Sequence, residues 1–197
     1  MPTYHCWSGG SNTAPYDTWA KAATTLTTAV GAANANADII KVHKTHTEEV
    51  AGDITFTFLA NVAVICVDKD ASDALATMGV AAWIGNSTVN RSVNIGGSNR
   101  NLFFHGITLR TAGSSIDHIV LATNDGMHVD YESCYFWSGT TSSTATIIIG
   151  AADSQTFVNA TNCTLRFGNV AQSINCIGRA EFIGGSVSSC LLYTSDA

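Results

Sequence analysis

The segment between residues 125 and 132 contains the side chains best suited to chemistry. Asp125, His128, Asp130 and Glu132 follow one another closely. In a β-strand alternate side chains share a face, so the last three would project together. Two carboxylates beside an imidazole could perform acid–base catalysis on a sugar or bind a cation. The same pattern is also typical of a solvated strand face with Val129 turned inward, and both interpretations stay open.

A second group of ionisable side chains lies nearer the N-terminus. His43, His46, Glu48 and Glu49 fall within seven positions of one another, a spacing that could supply two metal ligands. A metal site would need a third ligand converging from elsewhere in the chain. The sequence therefore predicts no bound metal and no cofactor.

Aromatic side chains offer a route to binding without catalysis. Trp83, Tyr135 and Trp137 are candidate platforms, because exposed Trp and Tyr rings stack on the apolar faces of sugars. Trp137 directly precedes the expected turn Ser138-Gly139-Thr140. The alternative for each ring is ordinary packing in the core or in a turn.

Composition limits the classes of protein that could position these residues. Only 12% of the 197 residues are charged and the net charge is −6, whereas an average soluble domain has about 25% charged residues. The basic run that binds nucleic acid is absent from the sequence, so no nucleic-acid partner is expected. An apolar run of about 18 residues, as a membrane span requires, is also absent, and no secretory signal opens the chain. Long neutral polar surfaces of this kind are common on secreted and virion β-structures.

The six cysteines form neither a CxxC pair nor a Cys/His cluster with zinc spacing. Several lie inside apolar strand patterns, where a free cysteine behaves as a small hydrophobic residue. We therefore expect buried free thiols, with Cys134 and Cys163 stacked on neighbouring strands, rather than a disulfide framework.

An internal repeat is the strongest indication of the fold. Four segments share a small residue, an apolar one, a polar one and a large apolar one, and their equivalent positions 107, 134, 163 and 185 are 27, 29 and 22 residues apart. One rung of a parallel β-helix, meaning one turn of its coil, takes about this length. An antiparallel sandwich would repeat at about 8–12 residues. The repeat predicts two inward columns of stacked side chains: Ile107, Cys134, Cys163 and Gly185, and Leu109, Phe136, Leu165 and Val187.

Only residues 17–33 show a helical period, with Trp19, Leu26 and Val30 on one apolar face. We predict one helix that covers the N-terminal end of the coil. The sequence thus predicts an all-β, right-handed parallel β-helix with an N-terminal capping helix. Its predicted parts are an N-terminal strand, loop and capping helix (1–35), the rungs (36–189) and a tail (190–197).

The first seventy or so residues resemble a recurring opening of pectate-lyase-like β-helix proteins, including phage and environmental bacterial members. The segments that carry the resemblance are Thr18-Trp19-Ala20-Lys21-Ala22 with Leu26, Ala37 to Val42, His46-Thr47-Glu48-Glu49 at the place of a short turn and a Thr-Glu step, Ala60 to Asp68, and Ala74-Leu75-Ala76-Thr77. The resemblance implies the fold but little about activity, because this fold serves lyases, hydrolases, adhesins and inert virion parts. Polygalacturonase-like and pectate-lyase-like catalytic motifs are incomplete here.

The last eight residues, Cys-Leu-Leu-Tyr-Thr-Ser-Asp-Ala, look like one reading frame of a transposase-end sequencing adapter. We therefore expect a metagenomic fragment that represents the N-terminal part of a longer protein.

Two functions remain open from the sequence. The favoured one is a non-catalytic structural or surface-attachment β-helix, phage- or virion-associated or extracellular, that contacts polysaccharide or other virion proteins and could form a homo-oligomer. The alternative is the N-terminal fragment of a carbohydrate-active enzyme, a polysaccharide lyase or a glycoside hydrolase. An enzyme would need two or more carboxylates, or carboxylates and a basic residue, converging in a groove.

Overall fold

A computed structural model of the chain describes residues 1–79, 81–86, 92–111, 118–139, 146–149, 155–168, 172–176 and 178–189. The expected tail at 190–197 lies outside these residues. The strands are β1 (Thr3–Cys6), β2 (Asp38–His43), β3 (Glu48–Val50), β4 (Ile54–Thr57), β5 (Val62–Asp68), β6 (Ala74–Leu75), β7 (Ile84–Asn86), β8 (Val93–Gly96), β9 (Asn101–His105), β10 (Thr108–Thr111), β11 (Ile119–Val120), β12 (His128–Glu132), β13 (Tyr135–Ser138), β14 (Thr146–Ile149), β15 (Phe157–Thr161), β16 (Thr164–Phe167), β17 (Ser173–Cys176), β18 (Arg179–Ile183) and β19 (Ser186–Ser189).

Within the described ranges these strands form three parallel sheets. Sheet 1 has the order β1-β2-β5-β9-β12-β15-β18, with β6 antiparallel beside β5. Sheet 2 has the order β3-β7-β10-β13-β16-β19, and sheet 3 has the order β4-β8-β11-β14-β17. From β2 onward the chain passes repeatedly from sheet 1 to sheet 2 to sheet 3. This all-β arrangement is compatible with the predicted parallel β-solenoid.

The connection from sheet 1 to sheet 2 is built in the same way four times. Its first residue has a left-handed backbone: φ is +68° at Gly106, +53° at Ser133, +52° at Asn162 and +66° at Gly184. Glycine adopts this conformation without strain, and short polar residues tolerate it better than most. The amides of Gly106, Ser133 and Asn162 each donate to a carbonyl of the next rung, at 2.8–3.0 Å. The small residue of the repeat therefore turns the corner, as the sequence predicted.

The side chains after each corner follow the two predicted columns, and all members except the last of each are buried: Val187 is 66% exposed and Gly185 is exposed. Leu109, Phe136, Leu165 and Val187 occupy paired positions in β10, β13, β16 and β19. The first three are at most 1% exposed. In sheet 1 the buried rings of Phe104 and Tyr131 stack with centroids 5.0 Å apart. The alternation of buried and exposed positions on each strand places the core between the sheets.

The predicted helix over residues 17–33 is wrong in its extent. Residues 19–21 form a short 3₁₀ helix, and the α-helix α1 covers only Leu26–Ala32. Between them Ala23 bridges Cys6 of β1, and the Thr25 side chain accepts the Thr28 amide (3.2 Å) to begin α1 afresh. Repeated threonines favour caps and extended backbone over a helix interior, which explains the interruption. The helix packs against β1, β2 and β4.

The cysteines are free in the described part of the chain. Cys6, Cys66, Cys134 and Cys163 are buried, as predicted, whereas Cys176 is exposed. The thiols of Cys134 and Cys163 each donate to backbone carbonyls, at 3.4–3.6 Å. Cys190 lies outside the described residues.

Candidate functional site

The acidic and histidine-containing segment lies on the outer face of sheet 1. Along β12, Val129 and Tyr131 are buried, while His128 and Glu132 are exposed and Asp130 is half-buried. Asp125 is exposed in the turn before this strand, where its carbonyl accepts the amide of Asn99 at 3.1 Å. Three of the four predicted residues therefore share one face, and Asp125 stands apart from them.

Each ionisable group on this face has a close partner. His128 Nε2 lies 3.3 Å from Asp130 Oδ1, and Glu132 Oε2 lies 3.6 Å from Nδ1 of His105 on the neighbouring strand. The two carboxylates are side by side on one strand and point the same way. Glycoside hydrolysis instead requires carboxylates on opposite sides of the scissile bond, an arrangement that β12 alone does not provide.

Beside these residues sheet 1 carries a shallow groove, which we call the Phe103 groove. It has a volume of about 360 Å³ and is lined by Asn36, Ala37, Asn61, Val62, Ala63, Asn101, Leu102, Phe103 and Asp130. Phe103 lies in register between Ala63 and Asp130. The small side chain of Ala63 leaves the space, and the half-buried ring of Phe103 gives the groove an apolar surface.

Asparagines form one edge of the groove because each links two rungs. Asn36 Oδ1 accepts the amide of Asn61 at 3.0 Å, and Asn61 Oδ1 accepts the amide of Asn101 at 2.9 Å. The side chains of Asn36 and Asn61 are therefore held just before β2 and β5, and Asn101 begins β9. The groove combines an aromatic ring with fixed amides and one carboxylate.

The predicted stacking platforms on sheet 2 have partners within the protein. Arg110 Cζ lies 4.7 Å from the ring centroid of Trp83 and 4.1 Å from that of Trp137, and Arg166 Cζ lies 4.6 Å from Trp137. We call these four residues the Trp/Arg stack. Since β10 and β16 flank β13, the two guanidinium groups approach Trp137 from opposite sides. A sugar could stack on Trp137 only after displacing one of them.

The remaining platform candidates are also constrained. Trp83 is only 9% exposed, and the half-buried Tyr135 meets Trp137 edge to face at 6.5 Å. Burial lowers the pKa of the Arg110 guanidinium, an effect that neighbouring Arg166 adds to and Glu49 opposes. The Trp/Arg stack therefore joins neighbouring strands of sheet 2.

The N-terminal ionisable group separates into two environments. His46 and Glu48 are buried beneath α1, where Glu48 Oε2 accepts the amide of Leu26 at 2.6 Å and lies 3.5 Å from His46 Nε2. Cys6 Sγ is 3.6 Å from the same nitrogen. Burial, and then the charge of Glu48, raises the pKa of the Cys6 thiol well above its usual value. Glu48–Val50 forms β3, so the Thr-Glu step expected at this place leads into a strand.

His43 instead faces two carboxylates that the sequence interpretation missed. Its Nε2 lies 3.8 Å from Asp68 Oδ1 and 3.9 Å from Asp70 Oδ2. The three ligand atoms are within 4.8 Å of one another. Knowing that β2 pairs with β5 would have predicted this contact, because the pairing places Asp68-Lys69-Asp70 beside the end of β2.

Asp73, a little further along, completes this polar surface. It accepts hydrogen bonds from Lys41 Nζ at 2.9 Å and from Trp19 Nε1 at 2.8 Å. Partial burial raises the pKa of Asp73, but these two hydrogen bonds outweigh it and the net pKa is lowered.

Comparison with models of known protein families, with curated proteins and with solved structures found no match to this chain. The pectate-lyase-like resemblance therefore has no support beyond the parallel β-rich fold. Among the described residues, no helix is both long and apolar enough to cross a membrane.

Proposed function

We propose that this chain is part of a right-handed parallel β-helix of pectate-lyase-like type, with α1 as its N-terminal cap. We propose further that it is a non-catalytic structural or attachment element of a virion or an extracellular surface, and that it contacts polysaccharide through the Phe103 groove. The observation that carries the binding proposal is the combination of Phe103 with Asn61, Asn101 and Asp130 on one outer face.

The chemistry of the groove suits a neutral or weakly basic sugar chain. Aromatic rings pack on the apolar face of a sugar, and amide and carboxylate oxygens accept hydrogen bonds from hydroxyl groups. Asn36, Asn61 and Asn101 repeat at the rung spacing of a parallel sheet, about 4.8 Å, so an extended chain would meet similar groups at successive rungs.

Two features support a structural rather than a catalytic role. The carboxylates of Asp130 and Glu132 lie side by side on one strand instead of facing each other across a groove. The Trp/Arg stack ties the rungs together on sheet 2, and such cross-links favour a rigid scaffold. The alternative is a carbohydrate-active enzyme, and the experiment must distinguish it from a protein that only binds polysaccharide.

The test is to measure binding of the protein to a panel of neutral, acidic and amino polysaccharides. Binding is measured by titration calorimetry and by affinity electrophoresis. We expect at least one polysaccharide to bind, and Phe103→Ala to weaken that binding about tenfold, the loss of roughly 1.4 kcal/mol. Tyr135→Ala is the matched control, because Tyr135 is a half-buried outward aromatic on sheet 2. A loss in Tyr135→Ala without one in Phe103→Ala would contradict the assignment to the groove.

Prolonged incubation with the bound polysaccharide separates binding from catalysis. We expect no new reducing ends and no unsaturated sugar products. Product formation that disappears in Asp130→Asn or Glu132→Gln would refute the non-catalytic role and favour the enzyme.

A further inference from the structure

The end of β2 and the end of β5 bring together an imidazole nitrogen and two carboxylate oxygens. His43 is the last residue of β2, and Asp68 is the last residue of the neighbouring β5. Asp70 follows in the short 3₁₀ helix Lys69–Ala71. Asp68 is the N-cap of this helix, and its Oδ1 accepts the Asp70 amide at 3.1 Å. The backbone therefore presents all three side chains to one point.

The His43 ring is buried with one nitrogen left without a partner. The side chain is 3% exposed, and Nε2 has no hydrogen-bond partner even though it is buried. Separations of 3.8 and 3.9 Å to the two carboxylates are too long for hydrogen bonds. Buried polar atoms are almost always paired, so a buried nitrogen without a protein partner beside two carboxylates indicates that a ligand can bind between them.

We propose that His43, Asp68 and Asp70 form a binding site for a divalent transition-metal cation of the zinc type. Imidazole nitrogen favours such ions, whereas calcium and magnesium favour oxygen ligands alone. Three protein ligands leave at least one position of a tetrahedral ion for water or a further group.

The two separations from His43 Nε2 are close to those that such an ion requires, and the two carboxylate oxygens lie within 4.8 Å of each other. Zinc bonds to nitrogen and oxygen are about 2.0–2.2 Å long, and at a tetrahedral angle they place ligand atoms about 3.3–3.5 Å apart. The observed separations from His43 Nε2 exceed this by a few tenths of an ångström. The Asp70 side chain is 71% exposed, so it can move by that amount and can also admit the ion.

The surroundings hold the ligands in place. His43 Nδ1 lies 2.7 Å from Thr45 Oγ1, and the Thr45 amide donates to the same nitrogen at 3.4 Å. Metal binding through Nε2 requires the tautomer in which Nδ1 is protonated and donates to Oγ1. The rings of Trp7 and Trp19 contact the imidazole edge to face, each at 5.7 Å. These contacts restrict rotation of the His43 ring.

Two lysines pair with the outer oxygens of the carboxylates. Lys44 Nζ lies 2.6 Å from Asp68 Oδ2, and Lys69 Nζ lies 2.6 Å from Asp70 Oδ1. The oxygens that face His43 are the other two, so each carboxylate can bind the ion through one oxygen while keeping its lysine. The positive charges oppose a cation, and removing one of them should therefore tighten its binding.

The experiment measures zinc binding by calorimetry and cobalt binding by visible absorption. Cys176 and Cys190 are changed to Ser in every protein, so that these thiols cannot take the metal. The test variants are His43→Gln, Asp70→Asn and Lys69→Gln. The matched control is His128→Gln, which removes the histidine of an exposed His–Asp pair; among the described residues, Asp130 is the one carboxylate that pairs with it.

We expect one zinc ion per chain, binding at least tenfold weaker in His43→Gln and in Asp70→Asn, unchanged in His128→Gln and severalfold tighter in Lys69→Gln. The visible d–d bands of bound cobalt should weaken and shift in His43→Gln, because the imidazole ligand is removed. Because the Asp70 side chain is 71% exposed, Asp70→Asn reports on the site even if His43→Gln does not fold. Absence of binding, equal binding in Asp70→Asn, or displacement of zinc by equimolar calcium would overturn the proposal.

Discussion

The Trp/Arg stack permits a quantitative test of how the rungs are held together from outside. Replacing Trp137 with Leu removes two guanidinium contacts, at 4.1 and 4.6 Å. Each such contact contributes about 0.5–1 kcal/mol at exposed sites and more where water is excluded. Trp137 is half-buried, so we expect the two contacts to account for about 1–2 kcal/mol of the free energy of unfolding. The lost apolar area of the indole adds to this cost.

A double-mutant cycle isolates the contact with Arg110 from the loss of area. The four proteins are the wild type, Trp137→Leu, Arg110→Met and the double variant, each unfolded in urea and followed by circular dichroism. Methionine keeps an apolar stem while removing the charge, so the cycle should return a coupling free energy of about 1 kcal/mol. The control cycle combines Arg110→Met with Tyr135→Leu. Tyr135 is the matched aromatic because it pairs in register with Thr108, whereas Trp137 pairs with Arg110.

The reasoning would be refuted if the Trp137 cycle gave a coupling within about 0.3–0.5 kcal/mol of zero, the scatter of independent sites. It would also be refuted if the control cycle gave an equal value. In either case the stack would be a surface arrangement without consequence for stability.

Three further predictions concern the core, a corner and acid stability. In native protein Cys176 should react rapidly with a thiol reagent while Cys134 and Cys163 stay unmodified, because the latter two are buried and burial raises the pKa of the Cys134 thiol; mass spectrometry of the labelled protein checks this. Ser133→Gly should raise the free energy of urea unfolding by up to about 1 kcal/mol, because a left-handed backbone costs an L-residue about 1–2 kcal/mol and glycine loses part of that gain through its extra freedom when unfolded; a loss of stability would contradict this. Asp73 has a lowered pKa in the folded protein, so its stabilisation is present above its unfolded pKa, near 3.8, and is lost as pH falls through the folded value; thermal melts of Asp73→Asn should show a shallower loss of stability below pH 4 than the wild type.

The repeat could be predicted from the sequence because its signal is local and recurs. The pairing of Leu109 with Phe136 and of Phe136 with Leu165 follows the columns read from the sequence. The outward direction of His128 and Glu132 follows from simple alternation on one strand. In both cases one physical constraint, burial of one face of a strand, determines the pattern.

The errors and omissions arise where distant residues decide the outcome. Thr25 begins a new helix because its side chain accepts the Thr28 amide while Ala23 pairs with β1, and the helical period does not reveal that pairing. Trp137 has the side chain of a sugar-stacking platform, but its ring is contacted by Arg110 and Arg166 from the two neighbouring strands. The approach of Asp68 and Asp70 to His43 depends on the register of β2 with β5. Such relations need the register before they can be recognised.

The left-handed corners between sheets 1 and 2 have a consequence for how this chain can change length. Each corner consists of two residues between fixed strands, as between β9 and β10 or between β12 and β13, although the spacing between equivalent positions varies from 22 to 29 residues. The variation must therefore be absorbed at the other connections of each rung. Insertions and deletions can accumulate there during evolution without shifting the register. A peptide tag introduced after β13 should be accepted, whereas the same tag between β12 and β13 would separate strands whose pairing depends on that corner.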